Sequence, residues 1–251
     1  DHDYIKKNMP SDDSVKITPL TESTGVLVLA GPKSRELLNQ ISKYDFSNEN
    51  FPWLTARNIA IGKIPINAMR VNYVGELGWE LHHPIEHQNQ IFDELFKAGK
   101  SFDLKPFGIR AMDSMRLEKS YRMIGTELSI EYSGFESAMD RFIQLDKGDF
   151  LGRDALLKTK EEGIRYKLVT LEVMDVNDAD ALGNNAVTLH DKLVGRATGG
   201  GFGFRINKSL ALAMIEIESA EINNEFFIDI LGKQHNTRVI SDSPFDPRNE
   251  R

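Results

Sequence analysis

A glycine turn preceded by a tyrosine and followed by a glutamate is the segment of this sequence best suited to hold a polar ligand. It reads NYVGELGWELH and covers residues 72–82. Tyr73 offers an aromatic face with a hydroxyl, and Glu80 offers a carboxylate between Trp79 and Leu81. A carboxylate on a buried strand face needs hydrogen-bond donors, which a ligand with adjacent N–H groups supplies. On these residues alone, a solvent-facing Glu80 on an amphipathic strand is favoured.

Histidines close to this turn raise the question of a metal site. His82 and His83 follow Glu80, and His87 lies four residues after His83. Pro84 separates His83 from His87, and the sequence offers no identifiable third ligand. The pattern favours an exposed, histidine-rich start of a helix, so we predict no metal site.

Other motifs that resemble chemical sites are predicted to be structural. The run TGGGFGF at 198–204 lacks the Lys-Ser/Thr that ends a phosphate loop, so we interpret it as a loop between strands whose backbones pass closely. Asp113 and Arg116 are three residues apart on a predicted helix and are expected to pair as a brace of the fold. No GxSxG motif indicates a hydrolytic triad.

The element that must position Tyr73 and Glu80 is predicted to be a hairpin. Alternating polarity indicates strands over 64–73 and 79–82 on either side of the glycine turn. A strand and four helices complete the first part of the chain. They are the strand GVLVLA at 25–30, helices at 33–41, 85–102 and 106–123, and a Lys/Glu-rich helix that ends at Gly163.

The character of the sequence changes after Gly163. Short strands separated by Gly, Asn and Asp follow, namely YKLVTLEV, KLVGRAT, LALAMIEI, EFFIDIL and NTRVIS. This pattern is typical of a small β domain. We therefore predict an α+β chain with one domain over 1–162 and a small C-terminal β-barrel domain over 163–251.

Composition excludes several classes of protein. With 251 residues, 40% hydrophobic and 27% charged, the sequence is typical of an ordinary soluble protein. A net charge of -7 without a Lys/Arg run argues against a nucleic-acid partner. The longest apolar runs are too short to span a bilayer, so no membrane partner is expected. The lack of cysteine is compatible with a reducing compartment, and we expect the cytoplasm, or the mitochondrial matrix in a eukaryote.

Five segments in order along the chain together resemble the glycine cleavage T-protein family, the folate-dependent aminomethyltransferases. They are VLVLAGPKSRELL, VNYVGELGWELH, AMDSMRLEKSYRMIGTEL, DFLGRDAL and GRATGGGFGFRINKSLALAMI. Within that family, GELGWELHHP and RLEKSYR are most similar to the carboxy-terminal folate-binding portion of dimethylglycine and sarcosine dehydrogenases. The segments extend over essentially the whole chain. Together they support the resemblance strongly, whereas any one of them alone would be weak evidence for it.

The resemblance implies a cofactor, a reaction and three cofactor-binding residues. The cofactor is tetrahydrofolate, and the reaction is capture by N5 of an iminium or formaldehyde equivalent released from an N-methyl amine, giving methylenetetrahydrofolate. Tyr73 and Glu80 match folate-contacting positions, and Tyr121 matches a position that lines the folate site in some relatives. The Glu80 carboxylate suits the pterin because the ring edge offers neighbouring N–H donors.

The resemblance also implies that the T-protein core is incomplete at its amino end in this chain. The missing segment holds the aspartate usually assigned the catalytic electrostatic role, so the catalytic residue here is unknown. FAD is expected only in a region upstream of this chain. The expected partners are folate and a one-carbon donor, while the oligomeric state is left open.

Alternatives to an amine dehydrogenase remain open. A stand-alone T-protein would act with a lipoyl carrier protein, and a folate-dependent demethylase would take a methyl group from sulfur or oxygen. A folate-binding module without turnover is a further alternative, although such relatives carry a signature cysteine that this chain lacks. Met112 stands where simpler T-proteins commonly have an arginine, which fits the dehydrogenase branch better.

The sequence does not fix the register of the predicted hairpin. If Tyr73 pairs with Trp79, alternation sends Glu80 to the face opposite Tyr73. If Tyr73 pairs with Glu80, or if a bulge intervenes, the two side chains share a face.

Overall fold

The computed structural model describes residues 1–176 and 178–248. The chain divides into two compact units, one made of Asp1–Asn72 and Glu76–Lys105, the other of Tyr73–Gly75 and Pro106–Arg251. The domain boundary expected near Gly163 stays a prediction. None of the helices that the structure describes has the length and apolar character needed to cross a bilayer.

The first unit is built on a four-stranded antiparallel sheet in the order β1-β4-β3-β2. Its hydrophobic core joins one face of this sheet to two helices. The strands are β1 (Thr24–Ala30), β2 (Ala56–Ile61), β3 (Ile64–Met69) and β4 (Gly78–Pro84), and the helices are α1 (His2–Lys7), α2 (Ser34–Ile41) and α3 (Gln88–Gly99).

Trp79 on β4 lies at the centre of this core and is fully buried. The ring of Phe46 meets it edge-on at a centroid distance of 5.5 Å, and that of Phe51 at 6.0 Å. Leu37 and Leu38 of α2 belong to the same core, because helical spacing puts apolar residues on one face. Alternation along β4 then leaves the side chains next to Trp79 on the other face of the sheet.

The second unit contains a closed antiparallel barrel of six strands in the order β10-β5-β8-β7-β6-β9. The predicted α+β class with a C-terminal barrel is therefore confirmed. The elements are α4 (Ile109–Leu117), α5 (Arg153–Glu162), β5 (Tyr166–Val173), β6 (Ala186–Leu189), β7 (Lys192–Gly203), β8 (Lys208–Glu216), β9 (Glu225–Ile230) and β10 (Lys233–Ile240).

Helix α4 packs on the outside of the barrel. Its last residue, Leu117, is buried in a cluster with Leu168, Leu210, Leu212 and Met214 from β5 and β8. Alternate residues of the same strands, such as Ala211 and Ala213, point into the separate core of the barrel. Strand β8 is thus covered on both sides, which explains its continuous apolar run.

The strand predicted over 64–73 is too long. It ends at Met69, because the chain turns there: the Val71 N–H donates to the Met69 carbonyl at 2.9 Å, and the Arg70 guanidinium donates to the Phe51 carbonyl at 2.7 Å. The alternation of polar and apolar residues in the sequence continues beyond Met69, although the strand does not. Tyr73 therefore lies in the connection and not on the sheet.

The helix predicted over 106–123 is also shorter than expected. It ends at Leu117, because Ser120 takes a left-handed conformation with φ of +54° and the Tyr121 N–H returns to the Arg116 carbonyl at 3.0 Å. Ile109, the first residue of the helix, is 73% exposed.

The glycine run 198–204 was predicted to be a loop, which is wrong: it lies mostly within β7, apart from its last residue. The expected close approach of backbones does occur. A Cβ on Gly200 would lie 2.8 Å from both the Leu210 carbonyl oxygen and the Ala181 Cβ. Glycine is needed here because the neighbouring backbone fills the space of a side chain. The short strand β6 was not predicted from the sequence.

Candidate functional site

Glu80 lies on the open face of the sheet in the first unit, opposite the core that holds Trp79. In the pairing register Glu80 stands between Val28 of β1 and Met69 of β3. Directly paired residues on one face have Cβ atoms about 5 Å apart. Val28 is 46% exposed and Met69 is 36% exposed, so the carboxylate has accessible apolar neighbours on both sides.

The Glu80 carboxylate has a single protein partner within the described part of the chain. Its Oε2 accepts a hydrogen bond from His82 Nε2 at 3.1 Å, and the two side chains are 32% and 29% exposed. Oε1 accepts none from the residues that the structure describes. Glu80 is thus half-covered, with one oxygen open to a donor from outside.

The expected exposed, histidine-rich start of a helix is wrong for His83, which is buried. Its ring nitrogens lie 2.8 Å from the Leu81 carbonyl oxygen and 2.7 Å from Gln88 Oε1. It points into the core because alternation gives it the same side of β4 as Leu81. In the ranges described, no group of three or more His, Asp or Glu side chains is placed to hold a metal ion.

Tyr73 and Tyr121, two of the predicted folate residues, lie together in the second unit. Their rings stack with centroids 6.0 Å apart and an angle of 28° between planes. The Tyr73 hydroxyl donates to the Arg122 carbonyl at 2.8 Å, so its proton is already engaged by the protein. Burial raises the pKa of both tyrosines above the usual value, which keeps both hydroxyls protonated near neutral pH.

The backbone that carries Tyr121 is held by Arg116. The predicted pairing with Asp113 is confirmed, with Nε donating to Oδ1 at 2.7 Å. Nη1 donates to the Tyr121 carbonyl at 3.0 Å and lies 3.4 Å from Glu127 Oε2. The guanidinium is buried, and its partners among the described residues are the groups of Asp113, Tyr121 and Glu127, so Arg116 has the structural role expected of it and also holds the backbone of Tyr121.

Glu127 completes this brace and was not identified from the sequence. Its carboxylate is fully buried and accepts hydrogen bonds from the Met123 N–H at 2.8 Å, the Thr126 hydroxyl at 2.8 Å and the Thr198 hydroxyl. Together with Arg116 it fixes the segment 121–123. Glu127 lies in a loop without periodicity, so no sequence pattern distinguishes it from an exposed glutamate.

A second buried carboxylate, Glu118, ties α4 to the turn between β7 and β8. It accepts hydrogen bonds from the Arg205 N–H at 2.7 Å, from the Arg205 guanidinium and from the Ile206 N–H at 3.3 Å. The guanidinium lies over the ring of Phe245, with Cζ 4.0 Å from the ring centroid. Glu118 follows Leu117 directly at the end of α4, and both side chains are buried.

Neither register considered for the Tyr73–Glu80 hairpin exists. Glu80 pairs with Met69, and a connection of residues 70–77 separates the strands. In this connection the Asn72 side chain donates to the Glu76 carbonyl at 2.6 Å, and Gly75 takes a left-handed conformation with φ of +68°. Tyr73 therefore belongs to one unit and Glu80 to the other.

The chain matches two family models in succession. Residues 1–147 match the GCVT N-terminal domain, and residues 167–246 match the glycine cleavage T-protein C-terminal barrel domain. The fold is similar to the crystal structure of the glycine cleavage system aminomethyltransferase T from Bartonella henselae, with a TM-score of 0.79 at 21% identity, covering 90% of this chain and 60% of that one.

Relatives of this chain include dehydrogenases and aminomethyltransferases. The chain is 34% identical to mitochondrial dimethylglycine dehydrogenase of Homo sapiens, covering 91% of this chain and 26% of that protein. It is 32% identical to an aminomethyltransferase of Thermoanaerobacter sp. (strain X514), covering 96% of this chain and 64% of that protein. The chain thus spans about a quarter of the first relative and under two thirds of the second. The match to the GCVT N-terminal model over more than half of its length shows that this chain belongs to the glycine cleavage T-protein family of aminomethyltransferases.

Proposed function

We propose that this chain binds tetrahydrofolate for one-carbon transfer and forms the folate-binding part of an N-methyl amine dehydrogenase of the dimethylglycine or sarcosine type. The observation that carries the proposal is the Glu80 carboxylate. It lies on an open sheet face with one oxygen bonded to His82 and the other without a donor from the described chain. Such a carboxylate is suited to a ligand with paired N–H groups.

The surroundings of Glu80 fit the pterin ring. The ring edge presents neighbouring N–H donors, and its flat faces are apolar enough to lie against Val28 and Met69 on either side of the carboxylate. When bound, tetrahydrofolate supplies the nitrogen that takes up the one-carbon unit. The residues of this chain bind and orient the ring, and such positioning accelerates the transfer by proximity.

Tyr73 and Tyr121 stay proposed folate residues by the family motif, and their stacked rings offer an aromatic surface within the second unit. Tyrosine rings provide a rigid apolar surface with a polar tip. Because the Tyr73 proton is bonded to the Arg122 carbonyl, we assign Tyr73 to ring packing. The Tyr121 hydroxyl has no hydrogen-bond partner among the residues described, and we assign to it the polar contact. No residue of this chain is assigned as the catalytic group.

The similarity to human dimethylglycine dehydrogenase and the methionine at position 112 favour the dehydrogenase branch. The second candidate is a stand-alone T-protein, which the coverage of 96% of this chain by a bacterial aminomethyltransferase supports. Assays of the natural full-length protein separate the two. A dehydrogenase oxidises dimethylglycine or sarcosine with an electron acceptor and passes the one-carbon unit to tetrahydrofolate, whereas a T-protein requires a lipoylated carrier protein charged with an aminomethyl group.

Calorimetry with tetrahydrofolate tests the role of Glu80 in the natural full-length protein. Removing a charged hydrogen-bond partner costs about 1.5–3 kcal/mol, so Glu80→Ala should weaken binding by about 10-fold to 100-fold. Glu86→Ala is the matched control, because Glu86 is an exposed carboxylate outside the sheet. Equal affinities of the wild type and Glu80→Ala would remove Glu80 from the site and the main support for the proposal.

A further inference from the structure

Glu80 and His82 form a hydrogen-bonded pair on the open face of the sheet. They are two residues apart on β4, so both side chains leave the strand on the same side. His82 stands between Val26 of β1 and Asn67 of β3, one row away from Glu80. In the four strands as described, alternation and pairing put no other titratable side chain on this face.

The hydrogen bond between them has a defined direction. An ionised carboxylate only accepts, so the imidazole must carry its proton on Nε2 and donate it to Oε2. The bond leaves Oε1 without a donor from the described residues. It also restricts rotation of a glutamate side chain that is 32% exposed and has apolar neighbours on both sides.

We propose that His82 is a positioning residue, which holds the Glu80 carboxylate so that its open oxygen faces the N–H edge of the pterin. This inference rests on the proposed binding of folate at Glu80. A side chain fixed before the ligand arrives loses less conformational entropy on binding, and this raises affinity without any contact between His82 and the ligand. Neither the motif of the turn nor the periodicity of the strand assigns such a role to His82.

Two substitutions of His82 distinguish the effect of its hydrogen bond from the effect of the size of its imidazole ring. His82→Leu removes the donor, and immobilising one flexible side chain is worth about 3-fold to 10-fold in affinity, so the dissociation constant for tetrahydrofolate should rise by this factor. His82→Gln offers an amide N–H at a similar reach and should restore affinity to within about 2-fold of wild type. Calorimetry on the natural full-length protein measures both.

The positioning role also predicts that the effect of His82 depends on Glu80. In a Glu80→Ala background, His82→Leu should change the affinity by less than about 2-fold, because its target is gone. In the ligand-free protein, nitrogen NMR should show the Nε2 signal of His82 shift on Glu80→Gln, with His87 as the unaffected control. This measurement needs neither folate nor a folded leucine variant.

The outcomes distinguish this inference from the proposed function. If Glu80→Ala binds tetrahydrofolate as tightly as wild type, the assignment of Glu80 fails and the inference fails with it. If Glu80→Ala weakens binding while His82→Leu does not, only the positioning role is overturned. Equal losses in His82→Leu and His82→Gln, or an unmoved Nε2 signal, also overturn it.

Discussion

Replacing the buried Glu127 by glutamine should destabilise the second unit. The carboxylate accepts hydrogen bonds from the Met123 N–H and from the hydroxyls of Thr126 and Thr198, and it lies 3.4 Å from the Arg116 guanidinium. A glutamine keeps the shape but carries no charge and has one acceptor oxygen, so it weakens these charge-assisted hydrogen bonds, which are worth about 1.5–3 kcal/mol each. Asp113 still neutralises Arg116, which limits the electrostatic loss.

We therefore expect Glu127→Gln to lower the free energy of unfolding by about 2–4 kcal/mol. Glu131→Gln is the matched control, because Glu131 is close in sequence but its side chain is 59% exposed in its ion pair with Arg196. Such an exposed pair contributes less than about 1 kcal/mol.

Urea denaturation followed by far-UV circular dichroism measures the difference, and hydrogen exchange of β7 amides localises it. Both tryptophans of the chain, Trp53 and Trp79, lie in the first unit, so their fluorescence reports on that unit separately. Equal effects of Glu127→Gln and Glu131→Gln, within about 0.5 kcal/mol, would refute the reasoning that the buried carboxylate organises the loop.

Two further predictions concern a tyrosine and a barrel carboxylate. Tyr73→Phe loses the bond to the Arg122 carbonyl and should cost about 0.5–1.5 kcal/mol by chemical denaturation, more than Tyr121→Phe. Burial raises the pKa of Glu172, but hydrogen bonds and charges from Lys208 and Arg238 outweigh it and hold that pKa below the usual value. A carboxyl whose pKa is lower in the folded than in the unfolded protein stabilises the fold at pH values above its unfolded-state pKa. Glu172→Gln should therefore be less stable than wild type at neutral pH. Its deficit in thermal unfolding should shrink as the pH falls below about 4.3, and a constant deficit would contradict this.

Local hydrophobic patterns in the sequence predicted the strands correctly where one face of the strand is buried. The run GVLVLA and the alternation around Trp79 predicted strands that the structure contains, because one face of the sheet packs against helices. The same patterns failed where backbone turns end an element. Met69 and Ser120 begin such turns, and nothing in the apolar spacing indicates that the strand and helix stop there.

The roles of charged residues depended on long-range contacts. Arg116 and Asp113 are three apart on a helix, so their pairing could be predicted. Glu127 bonds to Thr198, which is 71 residues away, and Glu118 bonds to Arg205, which is 87 residues away. Side chains that distant in sequence have no mutual pattern, so their burial is visible only in the folded chain.

Several motifs in order along the chain were sufficient to predict the family, the barrel and Glu80 as a candidate ligand residue. The residues that surround Glu80 became visible in the folded chain alone. Because the chain turns after Met69, Tyr73 lies outside the sheet, where its ring stacks on that of Tyr121. Strand pairing places Glu80 between Val28 and Met69, and His82 donates a hydrogen bond to it. Register and turn geometry, which arise from contacts between distant segments, made that difference.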